Sequence, residues 1–186
     1  TLEAHSHRRS SDLSTDGNGD GEADGRDVSR LNGEAAWLRR FTFGNGLVTD
    51  VEAGASFGLF NIAQDAVYDG RYSDLVPHAA VTMRYPMQRR EAAGVVQQLE
   101  PLVQLGWTGG DRLDIPNEES TLVEYDEGNL LSLSRFPRPD RRERGAVAAI
   151  GVNWARLDPN GMDASLSFGQ VIRADVDDAF SFSSGL

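Results

Sequence analysis

The 186-residue sequence predicts an all-β fold: an antiparallel up-and-down meander of about seven strands, forming a partial segment of a large transmembrane β-barrel. Three observations carry that expectation. Apolar and polar residues alternate with period two over five segments. The connections between segments alternate between short turns and long loops. No apolar run reaches the ~18 residues a membrane-crossing helix needs. Barrel strands keep apolar residues at every second position only, so a mean hydropathy of −0.42 is compatible with a lipid-embedded sheet.

Residues 1–9 alternate loosely and open the meander, followed by a polar loop over 10–29. In 31–43, Leu31, Gly33, Ala35, Trp37, Phe41 and Phe43 form one strand face, although Leu31, Ala35, Leu38 and Phe41 also satisfy helical spacing. Gly33 and the Gly44-Asn45-Gly46 turn favour the strand, because Asn-Gly is the preferred two-residue hairpin turn. Next, Leu47, Thr49, Val51, Ala53, Ala55, Phe57 and Leu59 oppose Asp50, Glu52, Gly54, Ser56 and Gly58.

A second long loop is expected over 63–74, then a strand in which Pro77, Ala79, Val81, Met83 and Tyr85 oppose His78, Ala80, Thr82 and Arg84. A short connection at 88–94 leads to Leu99, Pro101, Val103, Leu105 and Trp107, set against Gln98, Glu100, Gln104 and Gly106. The longest loop spans 108–144. Beyond it Ala146, Ala148, Ile150, Val152 and Trp154 alternate with Val147, Ala149, Gly151, Asn153 and Ala155. The DPNG turn at 158–161 then leads to Ala164, Leu166, Phe168 and Ile172, alternating with Ser165, Ser167 and Arg173.

A meander puts all short turns at one rim and all long loops at the other, the layout of an outer-membrane barrel. Greek-key sandwiches mix the two lengths. Trp37, Phe41, Phe43, Tyr85 and Trp154 fall towards the short-turn rim and Trp107 towards the other, as interfacial girdles require. Large residues also terminate strands in any β-protein.

A net charge of −11 with no basic stripe excludes nucleic acid as a partner. All 18 basic residues are arginine, which suits bidentate phosphate contacts but also follows from simple compositional bias. There is no cysteine, so disulfides and thiolate metal sites are excluded. The chain opens at Thr1 without methionine and ends just past an alternating segment, and reads as a fragment of a barrel domain.

Three groups of residues invite functional readings. In the DGNGDGEADGRD stretch, Asp16, Asn18, Asp20, Glu22 and Asp27 have the oxygen spacing of a calcium loop, with Gly21 at the sixth position. No other cofactor is called for, and a solvated acidic loop accounts for the same residues. Asp50, Glu52, Arg84, Glu100, Gln104 and Arg173 sit on polar strand faces and are expected to face a lumen. In the longest loop, Glu124 and Asp126 precede Arg135, Asp140 and Arg141, a charge cluster suited to folding the loop on itself or to meeting phosphate. His5, His7 and His78 accompany no nucleophile elbow or metal-histidine motif, so an enzyme is not expected.

The string PNEESTLVEYDEGNLLSLSRF at 116–136, followed by DRRERG at 140–145, resembles the C-terminal barrel domain of the LptD (Imp, OstA) family of lipopolysaccharide-assembly proteins. The likeness is densest over 99–169. Leu131 stands where the family commonly has Phe, and Arg138 where Gly is usual. The resemblance implies a translocon in the cell outer membrane that inserts lipopolysaccharide into the outer leaflet. It also implies an LptE-like plug lipoprotein, a periplasmic Lpt bridge and surrounding outer-membrane lipid as partners. The competing reading is a secreted or periplasmic calcium-binding β-domain that recognises carbohydrate or protein. The two differ in whether the apolar rows meet lipid or a second protein layer.

Overall fold

The computed structural model describes residues 1–113, 115–116, 129–134 and 142–174. Their strands are β1 (Leu2–His7), β2 (Asp27–Thr42), β3 (Val48–Ala63), β4 (Gly70–Arg84), β5 (Met87–Arg90), β6 (Val96–Thr108), β7 (Gly145–Leu157) and β8 (Ala164–Arg173). All join one antiparallel sheet in the order β1-β2-β3-β4-β6-β7-β8, with β5 also paired to β6. The meander is as expected, with eight strands. β1 and β8 stand at opposite edges, so the described sheet is not closed into a barrel.

The eighth strand comes from a break. β4 pairs with β6 from His78↔Thr108 to Arg84↔Leu102, and β5 takes over from Met87↔Leu99 to Arg90↔Val96. Pro86 and Pro101 flank the gap, and neither has an N–H to give the ladder. A short 3-10 turn at Ala92–Gly94 then reverses the chain.

Strands are longer than expected where polar residues disguised them. Gly70 to Asp74 continue β4 against β3, so the connection before them is 64–69 rather than 63–74. It is no longer than the 158–163 turn at the other rim, and strict alternation of lengths fails there. The other long connections are 8–26 and 109–144. At 43–47 the hairpin also differs from expectation. Phe43 and Leu47 close a three-residue loop, with Gly46 at φ 90°. A left-handed residue following a turn of ordinary φ is the next most common hairpin solution.

The register sorts the side chains onto two faces. Phe57, Leu75, Leu105 and Leu166 point to an open face and are 41%, 65%, 64% and 66% exposed. Asp50, Ser56, Thr82 and Gln104 point to the other and are 4–7% exposed. Leaving one leucine in water forgoes roughly 2 kcal/mol, and this face repeats the arrangement over several strands. Among the described residues no second layer covers it. β2 and β3, at 16 residues each, exceed the ~9–11 residues a tilted strand needs to cross a bilayer.

Candidate functional site

The covered face is built from alternate residues of β2, β3, β4, β6, β7 and β8, and the described residues 129–134 and 142–144 of the long connection lie against it. Leu133 lies over Gly106, and Leu130 over Gly151 and Gly169. A side chain at any of these glycines would occupy the space the leucines fill. Arg142 donates to Glu34 of β2 at 2.7 Å, Arg144 to Asp74 of β4 at 2.7 Å, and Arg173 of β8 to Glu143 at 2.9 Å. The loop is thus pinned to three strands. Arg142 and Arg144 reach carboxylates of the sheet.

Arg144 is mostly buried, and burial pulls its guanidinium below the ordinary arginine range; the Asp74 carboxylate offsets part of this. Between loop and sheet lies a cavity of about 480 Å³, whose wall includes Asn32, Glu34, Asp74, Arg112, Arg142 and Arg144.

Towards the short-turn rim, Asp50 accepts two hydrogen bonds from Arg40, at 2.6 and 2.9 Å, and a further one from Arg84. Asp50, Thr82 and Gln104 form one cross-strand row, in which Gln104 donates to Thr82 Oγ1 at 2.9 Å. One row further on, Glu52 Oε1 lies 3.7 Å from His78 Nε2, and Gly54 leaves the space this imidazole occupies. Glu100 is half-buried on the same face next to the β4–β5 break. Asp50, Glu52, Arg84, Glu100, Gln104 and Arg173 therefore share one face without converging on one point. Arg40 was not singled out in the sequence. Counting outward from the 43–47 hairpin pairs it with Asp50, which is the signal that could have found it.

The long-loop rim carries a second network. Arg26 donates to Asp65 at 2.6 Å, and its guanidinium lies 5.9 Å from the Tyr68 ring centre. Burial pushes the Asp65 carboxyl up, but the N–H groups of Val67 and Tyr68 and the Arg26 guanidinium outweigh it and hold the group below 3.8. Ala66 N–H donates to Ser14, so the 64–69 and 8–26 connections are joined.

In the acidic loop, Asp16 accepts N–H groups of Asn18, Gly19 and Gly21, which lower its pKa. Asn18 accepts from Asp20, and Asp20 from Glu22. Glu22 pairs with Arg9 at 2.7 Å, and Asp27, the first residue of β2, accepts the Arg9 N–H. Among the described residues no three carboxylates or imidazoles gather as a metal-binding group. Glu124, Asp126, Arg135, Asp140 and Arg141 lie outside the described residues.

An up-and-down antiparallel sheet with an open apolar face and a covered polar face is the construction of outer-membrane β-barrel proteins. The chain belongs to the LptD family: the family model described as LPS transport system D matches residues 1–185. No curated protein matches the chain. The family serves lipopolysaccharide transport and assembly at the outer membrane and acts with other Lpt components; it is a family of transport proteins rather than of enzymes.

Proposed function

We propose that this chain forms part of the wall of the outer-membrane translocon that inserts lipopolysaccharide into the outer leaflet. The observation that carries this reading is the inverted sheet, with leucine and phenylalanine rows open and charged rows covered. Hydrocarbon is the solvent in which that arrangement is favourable. A lipid-embedded sheet tolerates no free edge, so in this reading β1 and β8 pair with further strands of the barrel. The covered face, with residues 129–134 and 142–144 on it, lines the lumen. An LptE-like plug lipoprotein occupies that side, the periplasmic Lpt bridge feeds it, and outer-membrane lipid surrounds the other.

The lumen role of Asp50, Glu52, Arg84, Glu100, Gln104 and Arg173 follows from this orientation. Calcium in the 16–27 loop is compatible with the reading and not required by it. A soluble calcium-binding β-domain is disfavoured, because its apolar rows would need a covering layer.

Single cysteines introduced into this segment, which has none of its own, report on the open face in the full-length protein in its own membrane, with the unsubstituted protein as the background. Cysteines at Phe57, Leu75 and Leu105 are expected to react with a membrane-dissolved maleimide and resist a charged one. A photo-crosslinker at Glu52, partly exposed on the covered face, is expected to capture lipopolysaccharide in transit. Reaction of these cysteines with the charged reagent alone rules out the lipid-facing assignment, and a silent Glu52 counts against transport along this face.

A further inference from the structure

The open face is not uniformly apolar. At its long-loop end Ser29, Asn61 and Arg71 form one cross-strand row on β2, β3 and β4, and the next row inward is Leu31, Leu59 and Ser73. Together they line an open groove of about 460 Å³ on the outer surface of the sheet. Arg71 is exposed and carries no ion pair among the described residues. A guanidinium beside three hydroxyl or amide side chains, directly above two leucines, is a polar shelf at the top of an apolar wall.

The register places this shelf at a defined height. From the Leu31 row to the Phe41 row the open face runs ten residues along β2, about 33 Å of strand. With the usual barrel tilt that spans about 25 Å, the height of a barrel's apolar band. The Arg71 row lies just beyond the long-loop end of the band, at headgroup level. Arg39, near the other end of the same face, packs its guanidinium 5.1 Å from the Phe41 ring centre.

We infer that this groove is a lipid-binding site on the outer wall of the barrel, in which Arg71 holds a phosphate of lipopolysaccharide already resident in the outer leaflet. The inference rests on the orientation proposed above. Charge complementarity selects the occupant. A phosphorylated glycolipid presents anionic oxygens to Arg71 and sugar oxygens to Ser29, Asn61 and Ser73, while its acyl chains lie along Leu31 and Leu59. Arginine pairs two N–H groups with one phosphate, and such charge-assisted bonds are among the stronger ones available at a membrane interface.

The test places a photo-crosslinking residue at Leu59 of the full-length protein in cells, with adducts measured relative to folded, heat-modifiable barrel. Lipopolysaccharide should be captured, and Arg71→Gln should lower capture about tenfold, the scale of a lost charge-assisted hydrogen bond. Arg71→Lys should restore part of it, and Arg39→Gln should leave it unchanged. Adducts with phospholipid alone, or lipopolysaccharide capture indifferent to Arg71→Gln, would overturn the site. The Glu52 crosslink reports on transport independently, so loss of the Leu59 signal with the Glu52 signal intact rejects this site and leaves the translocon reading standing.

Discussion

Ser56 and Phe57 are neighbours in β3, yet the serine is buried and the phenylalanine open. Water would drive the opposite arrangement. The same inversion recurs at Thr82 and Met83 and at Gln104 and Leu105. In the orientation proposed above, one face suits hydrocarbon and the other suits contact with residues 129–134 and 142–144 of the chain's own loop. Each face therefore answers differently to a change in size or charge.

The largest effect is expected for Ala55→Arg, on the open face near mid-strand. A guanidinium in hydrocarbon costs about 2–4 kcal/mol, measured as loss of folded barrel in lipid vesicles. Ala55→Leu at the same position should be neutral, since lipid makes room for volume. A face packed against protein would instead penalise the leucine by about 1–3 kcal/mol, and that result would collapse the distinction between the faces.

On the covered face size matters more than charge. Gly106→Leu should collide with Leu133 and cost about 1–3 kcal/mol as the 109–144 connection is displaced. Limited proteolysis of that connection is the readout; an unaltered cleavage pattern would mean the leucine is not lodged there.

A smaller effect concerns the rim where the two solvents meet. Asp65 has a folded-state pKa below its ordinary 3.8. Its contribution to stability is therefore fully present above that value and is lost as pH falls through the lowered one. Protease resistance of the 8–26 and 64–69 connections should decline on acidification through that window. Asp65→Asn should remove the dependence and start from a less resistant state.

The smallest effect is expected from calcium. If the 16–27 loop takes it with the weak affinity of extracellular modules, about 0.1–1 mM, calcium should protect the loop from proteolysis, and Asp16→Ala should abolish the protection. An unchanged digest confines those oxygens to the hydrogen bonds they already make.

The alternation at 47–59, 99–107 and 146–155 was enough to assign strands and faces, because period two depends only on the backbone pleat. It was weak evidence at 70–74, where Gly70, Ser73 and Asp74 look like turn residues, and at 87–90, where the strand is a remnant left by a proline break. Asp74 is a strand residue because β3 pairs alongside it and Arg144 neutralises it, partners 70 positions apart in the second case. Asp50 and Glu52 could be placed on a polar face from the sequence, but not given Arg40 and His78 as neighbours without the register.

What the amino-acid order determined by itself was a two-faced meander and, through the long string at 116–145, its family. Both are local properties, written in spacing or in contiguous residues. Tertiary structure alone decided that the glycines of the polar face receive loop leucines, that loop arginines bind strand carboxylates, and that Ser29, Asn61 and Arg71 form one row. Those contacts join residues far apart in the chain, and only strand register and the return of the loop bring them within reach.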